Sequence, residues 1–114
     1  MAYQNITPVR ISQDTIPTGT TAKIIYRTPD NVRTYIKDIN IANTSATNNI
    51  DVNVYIVPNG ATVGTSTALL YSVPVAKNSY LHWVGTQILN PKDTIQVLAD
   101  NAGGTITVSG GEAT

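Results

Sequence analysis

From residue 22 onward, apolar and polar positions alternate with a period of two, and β-branched residues and tyrosine are frequent. This is the signature of strands buried on one face. Helical spacing is nearly absent. Runs at 22–27, 33–42, 51–57, 67–73, 79–84, 94–99 and 105–109 carry the pattern, with an eighth candidate at 9–13. Turn chemistry separates them: Thr28-Pro29-Asp30-Asn31, the small polar stretch 43–49, Pro58-Asn59-Gly60, Asn90-Pro91-Lys92-Asp93, and Asp100 to Gly104. Short strands this closely spaced predict an all-β fold, a single antiparallel β-sandwich of seven to eight strands, jelly-roll-like or immunoglobulin-like.

Within the strands, alternation predicts Ile39, Val54, Ile56, Leu81, Ile95, Val97, Ile106 and Val108 inward, and Tyr55, Tyr80 and His82 outward. Trp83 alternates in phase with Leu81 and reads as core. One strand resists the pattern: Lys37 falls on the face of Tyr35, Ile39 and Ile41, which predicts a rim position or a face only partly buried. The chain divides into an N-terminal arm (1–21), a sandwich domain (22–110) and a short C-terminal tail (111–114). In the arm, Tyr3, Ile6, Val9, Ile11 and Ile16 are spaced thinly around Pro8 and Pro17. Such an arm either frays or docks on a neighbouring subunit.

Composition narrows the function. The 114 residues suffice for one core. Charged residues make up 12% of the chain, roughly half the usual share of about 25%, and the formal net charge is zero. Thr, Asn and Ser fill 34 positions instead. A wet but nearly uncharged surface offers little repulsion and favours association, predicting a dimer or trimer of the chain with itself. The seven Lys and Arg are dispersed, so no nucleic-acid partner is expected. The start of the chain has no basic or apolar leader pattern and no stretch is long enough for a membrane span, so neither export by a signal peptide nor insertion is expected.

Candidate chemistry is sparse. Cysteine is absent, and the single histidine, His82, lies in a strand with no Gly-x-Ser-x-Gly elbow in the chain. A lone His builds neither a zinc site nor a nucleophile-base pair without partners. Asp30, Asp93 and Asp100 sit in turn clusters, where carboxylates serve backbone hydrogen bonds. Asp100 to Gly103 lacks the spaced ligands and closing Glu of a calcium loop. No glycine cluster opens a helix to hold a phosphate. The expectation is no catalytic residue, no cofactor and no metal. Sequons at Asn5 and Asn43 are what so much Asn, Thr and Ser produces by chance.

The stretches Thr34 to Thr44, Val54 to Pro58, Asn78 to Trp83 and Leu89 to Val97 resemble small β-sandwich virion structural proteins of tailed bacteriophages, over roughly residues 22–112. The resemblance implies a part assembled in the host bacterial cytoplasm and found in the virion, either a capsid decoration or cement protein or a tail-associated one. A short domain without coiled-coil or fibrous extension favours the capsid, with the major capsid protein as partner alongside copies of the chain itself. The alternative is a tail or fibre module binding host surface carbohydrate or protein, motivated by the Tyr and Trp content. No residue role transfers with the resemblance. The interface candidates are the apolar arm residues and the outward aromatic ones: Tyr3, Ile6, Val9, Ile11, Tyr55, Tyr80 and His82.

Overall fold

Strands with one apolar face bury it by stacking two sheets. A computed structural model describes residues 5–114. It contains strands β1 (Ile6–Thr15), β2 (Lys23–Arg27), β3 (Arg33–Asn43), β4 (Ile50–Val57), β5 (Ala68–Val75), β6 (Ser79–Leu89), β7 (Thr94–Ala99) and β8 (Gly104–Ala113). A 3-10 turn, Thr65–Thr67, precedes β5. The strands form two four-stranded sheets, ordered β1-β8-β3-β6 and β2-β7-β4-β5, and all the ladders are antiparallel. Only the β4 to β5 connection stays within a sheet; every other one crosses. This is the jelly-roll order, and it excludes the immunoglobulin arrangement.

The core is aliphatic and mostly β-branched, with no phenylalanine in the chain. Ile36, Ile39 and Ile41 of β3, Val52 and Val54 of β4, Ile95 and Val97 of β7, and Ile106 and Val108 of β8 are fully buried. These four are the inner strands of the two sheets, and stiff branched side chains suit a pleated surface covered from above. Of the eight residues expected inward, Ile56 and Leu81 are only half-buried and pack against the core.

The segment expected as an arm contains β1, paired with β8 from Ile6 to Thr15. The expected tail belongs to the sheet too, since β8 runs through Ala113 and pairs there with both Ile6 and Arg33. The limits at 21 and 110 therefore coincide with no break in the fold. Pro8 is tolerated because β1 is an edge strand, where one side of the backbone needs no partner.

Bulges cross the first sheet at a single level. The register shifts between Arg10 and Ser12 on β1, and between Ile36 and Asp38 on β3. It also slips where β6 passes from Val84 to Gln87. A bulge reverses the inside-outside phase and bends the strand. Thr34 and Ile36 are thus buried on one side of the bend, Ile39 and Ile41 on the other, and Lys37 turns to solvent. The lysine needs neither a rim nor a half-buried face, and Tyr35 lies opposite Ile39 in facing.

Gly110 sits at this level of β8. A Cβ there would lie 1.8 Å from the Tyr35 carbonyl oxygen and 3.1 Å from Ile11. The obstruction is backbone, so a rotamer change cannot relieve it. Gly110→Ala is expected to lower stability in urea denaturation by roughly 1–3 kcal/mol, the range of overpacking. Gly64→Ala, where a Cβ meets nothing within 4 Å, should stay within about 0.5 kcal/mol of the parent. Ile39→Ala, in the fully buried core, should lose roughly 2–5 kcal/mol.

Candidate interaction surface

The register places Pro8, Gly111, Tyr35 and Ile88 in one row across the outward face of the β1-β8-β3-β6 sheet. Gly111 leaves this row without a side chain in its middle. The result is a trough of about 400 Å³ lined by Gly110, Gly111, Ile6, Pro8, Tyr35, Lys37 and Thr86. Ile6 is 62% exposed and Ile88 51%. The Lys37 ammonium donates to the Thr86 hydroxyl at 2.7 Å, which draws the cation across the end of the trough. Clustered apolar exposure with a polar rim is the surface feature that marks interaction sites.

Beyond the bend the same face is polar. His82 Nε2 and Asp38 Oδ2 lie 2.5 Å apart, both side chains substantially exposed. Asp38 pairs in register with Ser109 on one side and Val84 on the other. The carboxylate thus stands between the serine strand and the histidine strand, whereas a relay for nucleophilic attack needs the histidine in the middle. Further rows hold Gln13, Thr107, Asn40 and His82, then Thr15, Thr105, Ala42 and Tyr80.

The two flanks of the sandwich differ. On the β1/β2 side hydrogen bonds join the sheets: Ser12 Oγ donates to the Ile25 carbonyl at 3.0 Å, and Lys23 Nζ donates to Asp14 Oδ1 at 3.0 Å. The Lys23 ammonium, with the Thr15 N–H, holds the Asp14 carboxyl below its usual value. The Tyr26 hydroxyl donates to Glu112 Oε2 at 2.6 Å and shares a 2.9 Å contact with Thr34 Oγ1. On the β5/β6 side, no side-chain hydrogen bond among the described residues joins the two strands. There Ile56, Leu69, Leu70, Leu81 and Trp83 pack on the core while remaining partly exposed.

The expected interface residues separate into distinct environments. Tyr3 lies outside the described residues. Ile6 lines the trough, whereas Val9 packs on the core and Ile11 is within it. Tyr55 is outward by alternation yet only 7% exposed. The connection after β4 folds back along that face, where residues 58–61 share a shallow pocket with Ile24, Thr94 and Gln96. Tyr80, 69% exposed, and His82 share the outward face of β6, opposite to Trp83. The aromatic residues therefore form no common platform.

The trough itself was not legible in the sequence, because its distinguishing residues are glycines in a segment read as sandwich end and tail. A Gly-Gly pair two residues after an alternating Ile-Thr-Val run was the available signal.

Several carboxylates hold the backbone. Asp93 accepts from the Asn59 and Asn90 N–H groups at 2.8 and 2.9 Å, and Asp100 accepts from the Asp51 N–H at 2.8 Å. The Asn90 bond is the turn role the sequence suggests for Asp93, whereas Asp100 bonds across to the neighbouring strand. Asn43 of the second sequon is buried. Its amide donates to the Asn48 and Val75 carbonyls and its oxygen accepts from the Ser45 N–H, which leaves no free amide for a glycan. No cluster of three or more His, Cys, Asp or Glu able to hold a metal ion occurs among the described residues.

No protein-family model matches the chain, and no curated protein matches it. Among solved structures, a chain in the structure of infectious bursal disease virus, Gx strain, superposes on 96% of this one with a TM-score of 0.50 and 9% identity. This chain spans 31% of that one. The fold is thus one that a virus structure also contains.

The Tyr26 contact carries a pH dependence. Burial, and then the Glu112 carboxylate, push the Tyr26 phenol up to about 12 from 10.0. The folded state favours the neutral phenol, so the stabilisation is complete below pH 10 and is lost as pH rises toward 12. In urea titrations from pH 8 to 12, the stability difference between the parent and Tyr26→Phe should shrink or reverse across that window. A difference that stays constant would show that the phenol is not coupled to the fold.

Proposed function

We propose that the protein is a non-enzymatic virion structural protein, a capsid decoration or cement protein of a tailed bacteriophage, that stabilises the particle by contacts with the major capsid protein and with copies of itself. The observation that carries this reading is the apolar trough on the outward sheet face, a surface shaped to seat a neighbour's side chains. The jelly-roll sandwich, of a kind also present in a virus structure, supports it. So does the zero net charge, which lessens the repulsion that keeps crowded copies apart. Ile6, Pro8 and Tyr35 would seat a neighbour's apolar side chains, with Lys37 at the margin.

The test is to locate and count the protein in purified particles. A copy number comparable to the major capsid protein is expected; a handful of copies at the tail would replace this reading with the tail-associated one. Ile6→Asp, at an exposed trough position, should weaken retention on particles by at least roughly tenfold, about 1.4 kcal/mol, without unfolding the domain. Undiminished occupancy by that variant would remove the trough from the interface.

A further inference from the structure

We propose that the recess where β2 and β7 meet the turn after β4 is a binding site for one small oxyanion, a carboxylate or phosphate group, held by Arg27 and Lys92. The recess has a volume of about 110 Å³, and Arg27, Lys92, Asn59, Gly60, Thr94 and Gln96 are in its lining. Thr94 and Gln96 alternate with the core residues Ile95 and Val97, so it opens on the outward face of the β2-β7-β4-β5 sheet. The trough lies on the other side of the sandwich. Sites for whole small molecules run to roughly 300–1,000 Å³; this one takes a group of a few atoms.

Two cations share this recess without a counter-charge. Neither the Arg27 guanidinium nor the Lys92 ammonium makes a hydrogen bond or ion pair among the described residues. Other cations are engaged: Lys23 with Asp14, Lys37 with Thr86, Arg10 with Gln13. Asp93, next to Lys92 in the chain, is buried, and its two oxygens accept from the Asn59 and Asn90 N–H groups. Like charges in one recess repel, and an anion between them turns that repulsion into attraction. A guanidinium presents paired donors that match the oxygens of a carboxylate or phosphate, and an ammonium adds a point charge. Gly60, whose N–H has no partner among the described residues, is a further donor in the lining.

The backbone supports the same assignment. Asn90 to Asp93 forms a turn closed by the Asp93 N–H on the Asn90 carbonyl at 3.0 Å, and Lys92, third in that turn, is left-handed with φ 72°. Glycine or asparagine is the usual occupant of such a position. The turn 58–61, which also borders the recess, is closed by the Ala61 N–H on the Pro58 carbonyl at 2.9 Å and has Gly60 in the equivalent place, φ 84°. A lysine where glycine fits with less strain is the kind of outlier that gathers at ligand clamps.

This site stands apart from the trough and from the virion role. The isotope-labelled protein is titrated with sodium phosphate, and separately with sodium acetate, up to about 50 mM at an ionic strength held constant with sodium chloride. Amide shifts at Gly60, Ala61 and Gln96 should saturate with a roughly millimolar Kd. Arg27→Gln and Lys92→Gly should each raise that Kd at least roughly tenfold. Both should fold, since Arg27 is exposed and glycine suits the left-handed position. Lys77→Gln is the control, because its backbone is held at the far end of β4 by Asn49 Oδ1 at 3.0 Å, and it should bind as the parent does. Saturation by acetate marks an acidic side chain of a neighbouring protein as the source of the oxyanion; saturation by phosphate alone marks a free phosphate. Shifts that rise without saturating, that chloride alone reproduces, or that survive both Arg27→Gln and Lys92→Gly would each overturn the proposal.

Discussion

Where β8 passes β3, the Tyr35 carbonyl occupies the space that a side chain at position 110 would fill, and the two strands pair there only because the residue is glycine. The bulges of β1, β3 and β6 fall at this level, so the sheet bends along one line. The bend lets Ile36 and Ile39 both point inward although they are three apart in a strand. It also turns Lys37 outward to Thr86 and leaves the glycines as the floor of a trough. Core packing and surface shape thus follow from one close backbone approach.

The strand count and the sheet class were legible because alternation in β4, β7 and β8 runs unbroken through Val52-Val54, Ile95-Val97 and Ile106-Val108. Where a bulge intervenes, alternation misleads: Tyr35 and Ile39 share parity but not a face. β1 was obscured for a different reason. Its apolar residues are sparse and Pro8 interrupts them, since an edge strand buries few side chains and tolerates a missing donor. Tyr55 shows a third limit: outward alternation assumes a bare face, and the connection after β4 folds back along it. The candidate surface was the least legible part, since it depends on which rows the bulges bring together.

The ionisable side chains act chiefly as fastenings. Asp93 closes a turn, Asp100 holds the backbone of the neighbouring β4 at Asp51, Asp14 and Glu112 tie one flank, and Asp38 engages the only histidine. Threonine, asparagine and serine make up much of the rest of the surface, and they hydrogen bond to water or to a neighbour with equal ease. Such a surface exerts little long-range steering and relies on shape and on short-range contacts.

The place of β8, between β1 and β3, has a consequence for how the chain acquires its shape. β1 has no other partner in its sheet. As the polypeptide emerges from the ribosome, its first strand must wait, unpaired, through the synthesis of nearly everything else, and it locks only when the last strand threads in beside it. β2 likewise waits for β7. The fold is therefore closed late and from its C-terminal end, by strands that bring Gly110 to the one position where the sheet can bend.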